Sequence, residues 1–166
     1  HLRFDFSHFS KMSAEEIKLV ETIVNQKIRE NITAQIQKDI PIEKAKDMGA
    51  MALFGEKYGD KVRVVTFDPD YSVVLCGGTH IKATGQIGCF KIISESGIAA
   101  GVRRIEAITA DKAEAYLNDQ LSLLHDIKSL FKVQVNPLTA VQNLIKDNSS
   151  LSKELEKLKK EQARRF

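Results

Sequence analysis

Apolar residues recur at threes and fours through Ile17, Val20, Val24, Ile28 and Ile32, with charged residues between them. This is the spacing of a helix with one apolar face, and it predicts a helix over residues 13–38. Ser13 is placed to cap it, and Glu15 and Glu16 lie in the first turn, where the helix dipole favours negative charge. Pro41 disfavours a helical residue ahead of it and sets the stop. A shorter helix is predicted from Ile42 to about Met48, ended by Gly49.

The period then changes. Val62, Val64, Val65 and Phe67 form a strand-like run closed by the turn Asp68-Pro69-Asp70. Ser72 to Leu75 is a second run, ending on Cys76-Gly77-Gly78. Gly88 to Ile93 and Arg103 to Ile108 are two further strand candidates, separated by a loop that holds Gly97 and Gly101. From about Asp111 the pattern is helical again. Leu117, Leu121, Leu124 and Phe131 mark one helix, and Asn136-Pro137 breaks it. In the last segment Val141, Asn148 and Leu155 occupy one heptad register, and Leu144, Leu151 and Leu158 the other. Asn at a core position costs a coiled coil stability but fixes its register. A helical hairpin with the preceding helix fits the same residues.

These elements define an α+β class: a small antiparallel or mixed sheet under a long covering helix, followed by a helical hairpin or coiled-coil tail. The expected division is residues 1–108 and residues 109–166.

Composition changes this picture little. In 166 residues, 43% are hydrophobic and 28% charged, the proportions of a globular chain. No apolar run approaches the roughly 18 residues of a membrane span. The opening His1-Leu2-Arg3-Phe4-Asp5 has no leader character and reads as a cut inside a structured unit, so a cytoplasmic location is expected. Two cysteines do not make a secreted disulfide framework. A net charge of +3 permits a nucleic-acid partner without arguing for one, because a local basic patch is the feature to seek.

Candidate chemistry concentrates on Cys76-Gly77-Gly78-Thr79-His80. A thiolate and an imidazole three residues apart can share a metal ion if the turn folds them together, and both are favoured zinc ligands. The same spacing also arises from a buried structural cysteine beside a surface histidine. A thiol nucleophile at Cys76 would need a base and an orienting carboxylate, and no carboxylate lies close in sequence. His1, His8 and His125 are scattered, so local spacing does not complete a metal site. The small-residue loop from Ser94 to Gly101 can present backbone N–H groups to an anion. Arg103 and Arg104 follow it, with Lys82 and Lys91 as an extended basic rim, although strand alternation turns one of the two arginines away. Gly49 to Gly59 reads as core packing that runs into a turn.

Taken together, Leu2-Arg3-Phe4-Asp5-Phe6-Ser7-His8, the Gly49–Gly59 stretch, Cys76-Gly77-Gly78-Thr79-His80 and Ser94 to Glu106 stand in the order and spacing of alanyl-tRNA synthetases. Residues 2–108 resemble the rear part of the editing domain of that family, and the helical tail resembles the segment that follows it. The resemblance implies hydrolysis of seryl- or glycyl-tRNA for alanine by an editing site that corrects weak discrimination between small amino acids. It also implies zinc held by Cys76, His80 and a His-x-x-x-His pair. That pair belongs upstream of Leu2, so only half of the zinc site is expected here, with poor zinc binding and no aminoacylation. ATP and Mg2+ belong to the full-length parent. The expected partner is the tRNA for alanine, contacted by Lys82, Lys91, Arg103 and Arg104. The alternative is a non-catalytic module that binds tRNA phosphates through these four residues and forms a homo-oligomer through the C-terminal helices.

Overall fold

The computed structural model describes residues 1–52, 58–131 and 136–164. The chain divides into two compact units, His1–Ala115 and Tyr116–Phe166.

The first unit holds two three-stranded antiparallel sheets. In one, β1 (Leu2–Ser7), β6 (Val102–Thr109) and β5 (Phe90–Ala99) lie in the order β1-β6-β5. In the other, β2 (Gln35–Pro41), β3 (Lys61–Asp68) and β4 (Ser72–Leu75) follow chain order. Val102 pairs with Ala99, so β5 and β6 form a tight hairpin, and Gly101 occupies its turn at φ +69, a conformation L side chains rarely adopt.

Helix α1 (Ala14–Arg29) begins as its sequence predicts. The Ser13 hydroxyl accepts from the Glu16 N–H at 3.1 Å, and the Glu16 carboxylate accepts from the Ser13 N–H at 2.7 Å, a complete capping box. Its apolar stripe, with Ile17, Val20, Val24 and Ile28, packs on Phe90, Ile92, Ile105 and Ala107 of the first sheet. The polar side of α1 also does structural work. β5 is an edge strand, and its outward backbone groups meet α1: Asn25 donates to the Phe90 carbonyl and accepts from the Phe90 N–H, each at 2.9 Å. Glu21 accepts from the Ile92 N–H at 2.8 Å. The helix therefore seals an edge that would otherwise be open to another strand.

The predicted helix over 13–38 is too long. It ends at Arg29, Asn31 takes φ +50, and residues 35–41 are strand β2. Ile32 extends the helical spacing by coincidence; β2 instead pairs with β3 through Gln35–Thr66 and Ile36–Val65. The short helix α2 (Ile42–Asp47) falls where expected, with Gly49 at φ +76 beyond it. It buries Ala45 on Val62, Val64, Val73 and Leu75, a second core belonging to the second sheet. Strand β1 was not among the predicted elements, and two sheets stand where one was expected. Of the Gly49–Gly59 stretch, residues 53–57 lie outside the described residues.

Helix α3 (Ala110–Ser129) follows β6 directly, with Ala113 fully buried. In the second unit, α4 (Pro137–Ala163) starts with Asn136 accepting from the Leu138 N–H and proline in the first turn. It buries none of its side chains: Leu144, Leu151, Leu155 and Leu158 are all more than half exposed. No helix among the described residues is long and apolar enough to cross a membrane.

Candidate functional site

The Cys76–His80 turn leaves the end of β4, and an arginine on the neighbouring strand holds it. The Cys76 N–H donates to the Arg63 carbonyl at 3.2 Å. The Arg63 guanidinium reaches back to donate to the carbonyls of Cys76 (2.7 Å) and Gly78 (2.6 Å). Hydrogen bonds from a charged donor are the stronger kind, so Arg63 fixes the Cys76–Gly78 part of the turn. Within the turn the Gly78 N–H points to Cys76 Sγ at 3.4 Å.

His80 sits beside Phe67, with ring centroids 6.3 Å apart. Its Nε2 is buried and has no hydrogen-bond partner among the described residues. The ring lines a largely apolar cavity of about 320 Å3, together with Val24, Phe67, Tyr71, Ile81 and Ile87. Cys76 is not on that lining. The segment after His80 is tied to the end of α1 through Thr84, whose buried hydroxyl donates to the Lys27 carbonyl (2.7 Å) and accepts from the Ile32 N–H (2.8 Å). At the cavity rim Lys27 bridges Asp68 (2.9 Å) and Glu30 (3.0 Å) and lies over the Tyr71 ring. The Asp68 hydrogen bond, then that of Glu30, raises the Lys27 pKa, and Lys27 lowers that of Asp68.

A metal is tested by these donors. A free thiol receiving an N–H and a buried, unpartnered imidazole nitrogen both suit a zinc ligand. Among the described residues no group of three His, Cys, Asp or Glu could hold a metal ion. By residue type Cys76 and His80 suit zinc, and the described residues do not make a whole zinc site.

Three of the four basic residues singled out in the sequence are engaged internally. Arg103 makes a two-pronged ion pair with the almost fully buried Glu95. Arg104 does the same with Asp5 of β1, at 2.7 and 2.8 Å. The two arginines thus find partners on opposite neighbouring strands. The hydrogen bond from each arginine lowers the pKa of its carboxylate partner. Lys91 pairs with Glu21 at 2.9 Å. Lys82 is exposed, and among the described residues its ammonium has no ion-pair partner. Sequence reasoning missed Arg63, Glu21 and Asn25. Nothing local marks them, because each acts on backbone groups that only the tertiary fold brings near.

The Cys-Gly-Gly-Thr-His turn of this α+β unit lies within a stretch similar to an accessory domain of the aminoacyl-tRNA synthetases. Residues 62–106, which enclose that turn, match the family described as the threonyl and alanyl tRNA synthetase second additional domain. Over nearly its whole length the chain is about half identical to alanine–tRNA ligases. It shares 52% identity over 98% of its residues with that of Cytophaga hutchinsonii, 52% over 96% with that of Bacteroides fragilis, and 47% over 99% with that of Porphyromonas gingivalis. The chain is thus of the alanyl-tRNA synthetase family, as its motifs indicated. It spans 18 to 19% of the length of these relatives.

Proposed function

We propose that the chain is the rear part of the editing domain of an alanine–tRNA ligase that acts in the cytoplasm and hydrolyses seryl- or glycyl-tRNA for alanine. The observation that carries this reading is the identity of about half over nearly the whole chain to alanine–tRNA ligases, with Cys76 and His80 inside the matched domain. The orphaned His80 Nε2 adds physical support, since a buried imidazole nitrogen lacking a partner carries a desolvation cost that a metal would offset. Cys76 and His80 supply two zinc ligands, and a His-x-x-x-His pair upstream of Leu2 supplies the others. Zinc held there would polarise an ester carbonyl or lower the pKa of bound water. Arg63 orients the cysteine by fixing the turn, and the Phe67 ring packs beside His80. ATP-dependent aminoacylation belongs to the remaining length of the parent.

For the tRNA partner, Lys82 offers a free ammonium, whereas Lys91, Arg103 and Arg104 must exchange an internal carboxylate for phosphate. In the tail, the exposed leucine stripe of α4 favours self-association.

A zinc titration separates the cases. The 166-residue chain binds zinc weakly, and a chain extended upstream through the histidine pair binds it tightly. Equal tight binding by both would sink the half-site idea. In the full-length enzyme, Cys76→Ala abolishes deacylation of mischarged tRNA; unchanged deacylation rejects the assignment.

A further inference from the structure

The largest cavity among those described lies away from the Cys76–His80 turn. It is an open groove of about 790 Å3, walled by the polar side of α1 and floored by Asn31, Gly85, Gly88 and Cys89. Two exposed cations, Lys18 and Arg29, line it. They are eleven residues apart, close to three helical turns, so they project from the same side of α1 about 16 Å apart along its axis. Among the described residues neither is in an ion pair. This contrasts with Lys91, Arg103 and Arg104, whose charges are already balanced.

The rest of the lining leaves those two charges uncompensated. Glu21 is the acidic residue on the wall, and its carboxylate is consumed by the Lys91 ammonium and the Ile92 N–H. Asn25 is consumed by both backbone groups of Phe90. The floor is glycine where backbone and side chains crowd. A Cβ on Gly85 would collide with the Asn31 amide oxygen, and Gly88 takes φ +68 with its Cβ position 3.1 Å from the Ala110 Cα. The result is an open groove, partly apolar at Ile28, with a positive charge near each end of its α1 wall and no unpaired carboxylate among its lining residues.

We infer that this groove is a second RNA-contacting surface, in which Lys18 and Arg29 neutralise two phosphates of one strand of the bound tRNA. A phosphodiester backbone is the ligand whose charge repeats along its length, and two cations on one helix side at this separation match a repeating anion better than a single small one. The Asn31 amide on the groove floor supplies a sequence-independent polar contact, whereas the Thr22 hydroxyl already donates to the Lys18 carbonyl at 2.8 Å. The inference rests on tRNA being the partner, as proposed above, but assigns its backbone contacts to different residues.

The test is binding of a tRNA transcript for alanine to the 166-residue chain across a salt series. Lys18→Ala combined with Arg29→Ala weakens binding on the order of tenfold and flattens the slope of log K against log salt by about 1.5, as expected for two lost phosphate contacts. A charge-matched control, Lys44→Ala with Lys61→Ala, removes two exposed lysines off the lining and leaves the slope almost unchanged. Equal losses in both double variants, or no loss in the first, overturn the groove assignment while the tRNA reading stands. Absence of salt-dependent binding by the unaltered chain overturns both. Both groove side chains are exposed on the surface of α1, so the variants fold, and unchanged circular dichroism verifies it.

Discussion

Helices α1 and α4 are both amphipathic, with apolar residues at threes and fours, yet they meet different fates within the chain. α1 lays its stripe on a sheet and uses Glu21 and Asn25 to complete the hydrogen bonding of an edge strand. α4 leaves Leu144, Leu151, Leu155 and Leu158 in solvent. The difference lies outside the periodicity. Helical spacing specifies that a face is apolar, whereas what covers the face depends on groups distant in sequence. In α1 the polar residues identify the partner, because an amide and a carboxylate are placed to receive backbone N–H groups. On α4 the polar positions are mostly Lys, Glu, Ser and Gln, suited to water or to complementary charges on another helix.

That contrast can be broken by substitution. The largest effect belongs to the second core: Leu75→Ala, at a side chain 1% exposed, lowers stability by about 2–5 kcal/mol in urea unfolding. A loss below 1 kcal/mol would show that this core does not support the unit. Next is Asn25→Ala, which leaves the Phe90 N–H and carbonyl without their partner and costs about 1–3 kcal/mol. Hydrogen exchange at the Phe90 amide should accelerate with it; unchanged protection would refute the edge-sealing role of α1.

An intermediate effect comes from acid. The carboxylates of Asp5 and Glu95 have their pKa values lowered by hydrogen bonds from Arg104 and Arg103. A carboxylate whose pKa falls on folding stabilises the native state above its unfolded value, about 4. That contribution is lost as pH falls through the lower, folded value. The melting temperature should therefore hold between pH 7 and 5 and decline below about pH 4. Glu95→Gln should be less stable at pH 7 and show a smaller acid-dependent decline. An acid decline of wild-type size in that variant excludes the pair as its source. The smallest effect is expected of Leu151→Ala in dilute solution, within about 0.5 kcal/mol, because the side chain is 65% exposed. At high concentration the same substitution should lower the mass seen by sedimentation if α4 associates with itself. An unchanged monomer mass in both chains removes the coiled-coil reading.

Much of the fold could be read from local chemistry. The capping box at Ser13 and Glu16, the Gly49 stop, the turn after Phe67 and the Asn136-Pro137 break each appear where residue type demands a backbone conformation. Strand β2 was hidden because Ile28 and Ile32 sustain a helical interval across the point where Asn31 turns the chain. Strand β1 alternates Leu2, Phe4 and Phe6 with Arg3, Asp5 and Ser7, so its pattern was available. Its pairing partner, β6, lies about a hundred residues away in sequence. Of the candidate site, Cys76 and His80 were visible as residue types, but the orphaned state of the His80 nitrogen and the Arg63 clamp exist only once β3 and β4 are paired.

The Arg63 clamp has a kinetic corollary. Gly77 and Gly78 would sample many conformations in a free peptide, and fixing each backbone costs roughly 1–2 kcal/mol in entropy. Two charge-assisted hydrogen bonds within the folded unit meet that cost before any ligand arrives. On the zinc reading proposed above, a metal would encounter Cys76 on an already ordered turn, and its capture should be limited by arrival rather than by local rearrangement. An Arg63→Met chain would shift the limiting event to ordering of the turn, visible as a slower association phase that no longer scales with ligand concentration.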